Sequence, residues 1–416
     1  MKGLKVLIIG HTWPEPKATA AGGRMMGLVH FFLAGGYSIS FGSTAKKSDQ
    51  AASLGKLGID TINLQLNHHS FDAYLQHLCP DIVVFDRFIT EEQFGWRVTE
   101  FAPNAIKILD TEDLHSLRLS RKQAFENVSD FTINAWIKNE LTKREVASIY
   151  RCDLSLIISE FELQLLEEEL KIPSTQLLYL PYMLEPIDEA TINSWIPFNS
   201  RENLMFIGTG KHAPNIDAIK WLHSEIWPLI RKQLPQAELH IYGSYLPQAI
   251  LELDQPENGF MVRGWIADAA IPMSRVRVNL VPLRYGAGIK GKFISAMCRG
   301  TPSVVTMIGA EGVSGHIQQT AISNNKAAEF AEKAIDIYTN SNQWQTVQQN
   351  GVDIINDQFD KTTFYKILSD RIAQLASDLD QQRTKNFIGA MLLHHTMAGS
   401  KYLAKWIASK NVHEAD

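Results

Sequence analysis

Between Pro282 and Thr306 the chain reads PLRYGAGIKGKFISAMCRGTPSVVT, in which Arg284, Gly286, Gly288, Lys290, Gly291 and Lys292 crowd ahead of a short apolar helix. Glycine lets backbone approach a ligand closely, lysine and arginine supply charge, and a helix N-terminus presents free N–H groups. These residue types in this order suit an anion, a diphosphate above all. Taken alone, the segment also reads as a glycine turn flanked by solvated lysines. Two companion segments weigh against that: FIGTGKHAPNIDAIKWL (206–222) runs through Gly210 and Lys211 into a helix start marked by Pro214 and Asn215, and PEPKATAAGGRMM (14–26) sets Gly22 and Gly23 before a helix carrying Arg24.

Loops of this kind need strands and helices to aim them. Short apolar runs at 4–10, 38–43, 60–66, 81–87, 105–111, 154–158 and 177–181 read as strands buried on both faces, as in a parallel sheet covered by helices. Between them lie helical segments such as GGRMMGLVHFFLAGG, a long stretch over about 115–150, and FELQLLEEELK, where Ser159 and Glu162 have capping-box spacing. The βαβ alternation predicts a doubly wound α/β domain. It lapses over 185–202 into polar, proline-punctuated sequence and then restarts with NLMFIGT, AELHIYGS, FMVRGW, VRVNLVPL, PSVVT and TAISN as strands. The expectation is an α/β chain of two Rossmann-like doubly wound domains facing across a cleft: 1–184, a linker at 185–202, 203–380, and a helical tail at 381–416.

Composition bounds the chemistry. A chain of 416 residues exceeds one ordinary core and suits two domains. Forty basic against forty-five acidic residues, net −5, disfavour nucleic acid as a partner. Three dispersed cysteines (Cys79, Cys152, Cys298) fit a reducing compartment and argue against a disulfide framework. The apolar run near the N-terminus reads as a strand rather than a signal peptide, and no run is long enough to span a bilayer, so a cytoplasmic location is expected. In the tail, Lys401, Lys405 and Trp406 among apolar residues fit either packing on a domain or a peripheral contact at the inner membrane.

The segments FIGTGKHAPNIDAIKWLHSEIWPLIRKQLPQAELHIYGS and RVRVNLVPLRYGAGIKGKFISAMCRGTPSVVTMIGAEGV resemble the donor domain of the retaining, nucleotide-sugar-dependent glycosyltransferases of family 4, which have the GT-B fold. AGGRMMGLVHFFLAGGYSISFGS and KILDTEDLHSLRLSRKQ are similar to acceptor-side segments of a bacterial branch. The resemblance implies transfer of a sugar from a nucleoside diphosphate to a hydroxyl of a glycan or lipid-linked sugar, as in polysaccharide biosynthesis, without a metal or other cofactor. It sets Gly22 and Gly23 against the donor phosphates, and Lys211 and Lys290 on the diphosphate leaving group. Gly210, Arg284, Gly288 and Lys292 complete the donor loops, and Asp110, Asp113 and His115 stand near the sugar and acceptor as catalytic candidates.

The sequence departs from the family at two positions. Ser295 occupies the place of the glutamate that grips the donor ribose, and Ala287 that of an acid eight residues earlier. Glu311, in GAEGV, is positioned to reach the donor from the next loop. The departures motivate an alternative reading, a catalytically silent GT-B protein that binds a glycan, a nucleotide or a partner enzyme. A dinucleotide oxidoreductase is disfavoured because the first βα turn reads GHTWPEP, without G-x-G-x-x-G.

Overall fold

The computed structural model describes residues 3–313, 322–323 and 325–413. Among them, β1 (Lys5–Gly10), β2 (Ser38–Ser43), β3 (Asp60–Asn63), β4 (Ile82–Asp86), β5 (Ile106–Asp110), β6 (Leu154–Ile157) and β7 (Leu177–Tyr179) form one parallel sheet, ordered β3-β2-β1-β4-β5-β6-β7. Val6 pairs with Ile39 on one side and Ile82 on the other, and Val6 through Ile9 are fully buried because helices cover both faces. A second sheet comprises β8 (Glu202–Ile207), β9 (Leu239–Tyr242), β10 (Phe260–Gly264), β11 (Val276–Val281), β12 (Ser303–Thr306) and β13 (Ile322–Ser323), ordered β10-β9-β8-β11-β12-β13. In both sheets the strand order reverses beside the first strand, at β1/β4 and β8/β11, and such switch points open a crevice at the carboxyl ends of the strands. The two crevices face each other, with loops of one domain in hydrogen-bond contact with loops of the other.

The long helix expected over 115–150 is broken into 115–126, 133–138 and 140–151. Thr132 and Asn139 are the cause: each takes an extended backbone and accepts a hydrogen bond from the next helix's first turn, Ala135 N and Leu141 N respectively. The domain boundary expected at 380 is also displaced. Asp360 caps a helix at Lys361–Lys385 whose Phe364, Leu368, Ile372 and Leu375 join the core on one face of the first sheet, so the chain returns to the first domain at about 361. The two crossings run side by side: the Leu184 N–H donates to Phe359 O at 2.8 Å and the Lys361 N–H to Leu184 O at 2.8 Å. A last helix, Phe387–His413, packs on helices 87–101 and 140–151. Among the described residues no helix is long and apolar enough to cross a membrane.

Candidate active site

Three strand ends of the first sheet converge at the crevice. β1 leads into His11, β4 into Arg87, and β5 into the turn Thr111–Asp113. Asp86 accepts the His11 backbone N–H at 2.8 Å, tying two of these ends together. Asp110 is fully buried and both its oxygens are engaged by Arg24, at 2.7 Å from Nη2 and 3.0 Å from Nε to Oδ1. The Arg24 Nη1 donates to Leu180 O at 2.7 Å, so this pair anchors helix 20–34 to the sheet. Asp110, a catalytic candidate from sequence, thus fills an architectural position, whereas Asp113 and His115 face the crevice.

Asp113 pairs with Arg118 and lies 3.5 Å from His115 Nε2. Burial opposes its ionisation, yet Arg118 and the neighbouring imidazoles hold its carboxyl well below the ordinary range. Burial lowers the His115 imidazole to about 4, against the pull of Asp113, so it is neutral at neutral pH. Its helix start is fixed by Glu145, whose oxygens accept from the His115 and Ser116 N–H groups at 2.7 and 2.9 Å. Glu112, between the two candidate acids, is buried with φ +62° and leaves Oε1 without a partner. Burial, with Asp110 and Asp86 nearby, raises it to about 8.

The glycine loops of the second domain close the other side. Gly288 has φ +63°, and a Cβ there would stand 2.8 Å from Asp113 Cβ; one on Gly291 would stand 2.7 Å from Ala20 Cβ. Side chains at these two positions would wedge the domains apart. Gly210 packs on the Tyr245 backbone, Tyr245 Oη meets Glu15 at 3.3 Å, and the Ser244 hydroxyl donates to Ala18 O at 3.2 Å. The three glycine-bearing segments read from sequence therefore meet. Gly23 faces open space, while Gly22 lies against the Glu15 backbone, where a Cβ would come within 2.5 Å.

Among the cations, Lys290 is buried and donates to its own loop, at 3.2 Å to Ala287 O and 2.5 Å to Gly288 O. Burial lowers its ammonium pKa, opposed by Glu311. Lys292 donates to Asn215 Oδ1 at 2.6 Å and lies 4.1 Å over the Phe206 ring; burial, with Lys290 nearby, brings it down to about 7. Lys211 is exposed, 3.4 Å over the Tyr245 ring. Arg284 is committed elsewhere: it forms a two-bond pair with Asp217, at 2.6 and 2.9 Å, under Phe125 and Trp221. Glu311 pairs with Arg121 of the first domain through two bonds of 2.7 Å. Ser295 is exposed on helix 291–297.

Several groups of the site were not singled out from sequence. Glu162 does not cap its helix: its Oε1 accepts from Leu114 N and Gly288 N, each at 2.9 Å, joining the two domains, and its Oε2 is buried without a partner. Burial and Asp113 push it up to about 8. His212 is held neutral, at about 3, by burial and by Arg118. Its place in a glycine loop beside Lys211 was the available signal; the spacing from Ser159 marks Glu162 only as a local cap, and nothing local marks Arg121 or Arg118. Among the described residues, no three His, Cys, Asp or Glu side chains group as metal ligands.

Residues 201–340 match the family model described as "Glycosyl transferases group 1". A 178-residue stretch is 26% identical to an uncharacterised 44.6 kDa protein of the cps region of Klebsiella pneumoniae, covering 40% of this chain and 45% of that protein. Sucrose-phosphate synthase from Thermosynechococcus elongatus superposes with a TM-score of 0.65 at 16% identity, over 90% of this chain and 99% of the other. A glycosyltransferase from Rickettsia africae gives 0.62 at 13% identity over 89% and 98%. Anabaena HepE, solved with UDP and glucose, gives 0.63 at 13% identity over 89% and 99%. The chain has the two-domain GT-B fold, and its second domain carries a glycosyl transferases group 1 segment.

Proposed function

We propose that the protein transfers a sugar from a nucleoside-diphosphate sugar to a hydroxyl of a glycan or lipid-linked sugar on the cytoplasmic side of a bacterial membrane, with retention at the anomeric carbon. The observation that carries this reading is the pair Lys290 and Lys292. Both lie at the start of helix 291–297, both are depressed by burial, and among the described residues neither makes an ion pair with a carboxylate. Such a site gains most from a ligand that brings two negative charges. As the bond to the sugar breaks, charge grows on the leaving diphosphate, and the two ammonium groups with the uncapped helix start stabilise it. Contacts across the cleft exclude water from the gap. Neutral His115, beside Asp113, is the group suited to orient the attacking hydroxyl by hydrogen bonding, and the hydroxyl's proton passes to the departing diphosphate, on which negative charge grows. The UDP seen with Anabaena HepE makes UDP the first nucleotide to test.

Calorimetric titration with UDP, GDP, CDP and dTDP tests the donor site. One of them is expected to bind, with a loss of about tenfold or more in Lys290→Ala, the scale of a charge-assisted hydrogen bond. Absence of binding to all four would favour the silent protein, which Ser295 motivates. Ser295→Glu then discriminates: regained affinity marks an eroded ribose site, and no gain leaves a scaffold.

A further inference from the structure

The helix Phe387–His413 is half-embedded, and its outward face carries large apolar side chains interspersed with Lys405, Ser409 and Lys410. Phe387 is 74% exposed, Tyr402 69%, Leu403 58%, Trp406 55%, Met391 46% and Ile388 45%. At 100° per residue these six fall on one half of the helix, opposite Gly389 and Ala404, which are buried. An apolar face of this size on an otherwise solvated protein calls for a cover.

Charge selects the cover. Residues 381–413 contain Arg383, Lys385, Lys401, Lys405 and Lys410 and no acidic residue, although Glu414 and Asp416 follow in the sequence. Arg383 is paired with Asp153 and Lys405 with Glu100, which leaves Lys385 and Lys410, among the described side chains, as the exposed cations beside the apolar face. Lys410 lies 3.9 Å over the Trp406 ring, and Lys385 is exposed just before Phe387. A second copy would oppose the same positive charge to itself, whereas an anionic bilayer offers hydrocarbon to the aromatics and phosphate to the lysines. We propose that this helix is a peripheral anchor lying on an anionic phospholipid surface, with Phe387, Met391, Tyr402 and Trp406 inserted at headgroup depth. It rests on the protein at Tyr150, whose carbonyl accepts from Asn386 Nδ2 at 2.7 Å, and at Glu100, 3.7 Å from Lys405. Glu100 is in the last turn of helix 87–101, whose first residue lines the candidate site, about 20 Å away along the axis. The anchor therefore tethers the enzyme without entering the cleft, and it stands independently of the donor and acceptor assigned above.

The full chain is sedimented with vesicles of phosphatidylcholine alone and of phosphatidylcholine mixed with phosphatidylglycerol, at low and high salt. Binding is expected to the mixed vesicles only and to weaken with salt. Lys385→Glu/Lys410→Glu should weaken it about tenfold or more, and Phe387→Ser/Trp406→Ser comparably, with the melting temperature unchanged. Equal binding to both vesicle types, or none, overturns the proposal. So does a lipid-free dimer that dissociates in Phe387→Ser/Trp406→Ser, which would assign the face to a second copy.

Discussion

Lys292 illustrates how burial sets the chemistry of a single side chain in this site. Its folded pKa of about 7 lies below the ordinary 10.5. Between those values the unfolded chain holds a proton that the ligand-free site has released, so this group makes the fold gain stability as pH rises through that window. A bound diphosphate restores the charge, and binding at pH 8 is expected to take up to about one proton from solution. Titrations in buffers of different ionisation enthalpy measure this, and Lys292→Met should abolish the buffer dependence; an equal dependence in the variant would assign the proton to another group. The same pattern of burial explains why His115 and His212 are neutral, and why neither is suited to binding phosphate by charge.

The helix start at Thr19–Gly23 separates two glycines that look equivalent in sequence. Thr19 caps the helix by accepting from Gly22 N, and Gly22 is pressed against the Glu15 backbone, whereas a Cβ on Gly23 would meet nothing within 4 Å. Gly23→Ala is therefore expected to stabilise the ligand-free protein by about 0.5–1 kcal/mol through helix propensity, while weakening nucleotide binding by filling the gap. Gly22→Ala should destabilise, because backbone rather than a flexible side chain must move. Thermal melts with and without the nucleotide read both effects. A Gly23→Ala variant with unchanged affinity would remove that residue from the donor site.

Across the molecule, the two domains are latched at the Gly286–Gly288 loop. Arg121 reaches from the first domain to Glu311 and to Gly286 O at 2.8 Å, and Glu162 bridges Leu114 and Gly288. Breaking a buried pair from one side costs about 3–5 kcal/mol, chiefly because the partner is left uncompensated. Glu311→Gln is expected to shift the molecule toward an open arrangement, seen as a larger radius of gyration in small-angle scattering and as faster nucleotide release. An unchanged radius with slower release would mean that closure rests on other contacts. The side-by-side crossings at Leu184 and Phe359–Lys361 are the natural pivot for such a motion, since all of the chain passing between the domains runs through them.

Local pattern alone determined the strands of the two α/β units within the described residues and the three glycine-bearing loops, because burial on a strand or helix is written in residue periodicity and turns in glycine and proline. Periodicity says nothing about which distant charge a side chain meets. Arg24 with Asp110 is 86 residues apart, Arg284 with Asp217 is 67, and Arg121 with Glu311 is 190. Asp110, Arg284 and Glu311 are candidates by type and position, and each is spent on one of these pairs, while Lys290, Lys292, Asp113 and His115 remain at the gap. Ser159 and Glu162 had the spacing of a cap, but a buried backbone N–H from the other domain outcompeted the local one. Tertiary packing therefore decided which charges are structural and which are left for a ligand, since only the folded chain fixes the distances and the desolvation on which that choice depends.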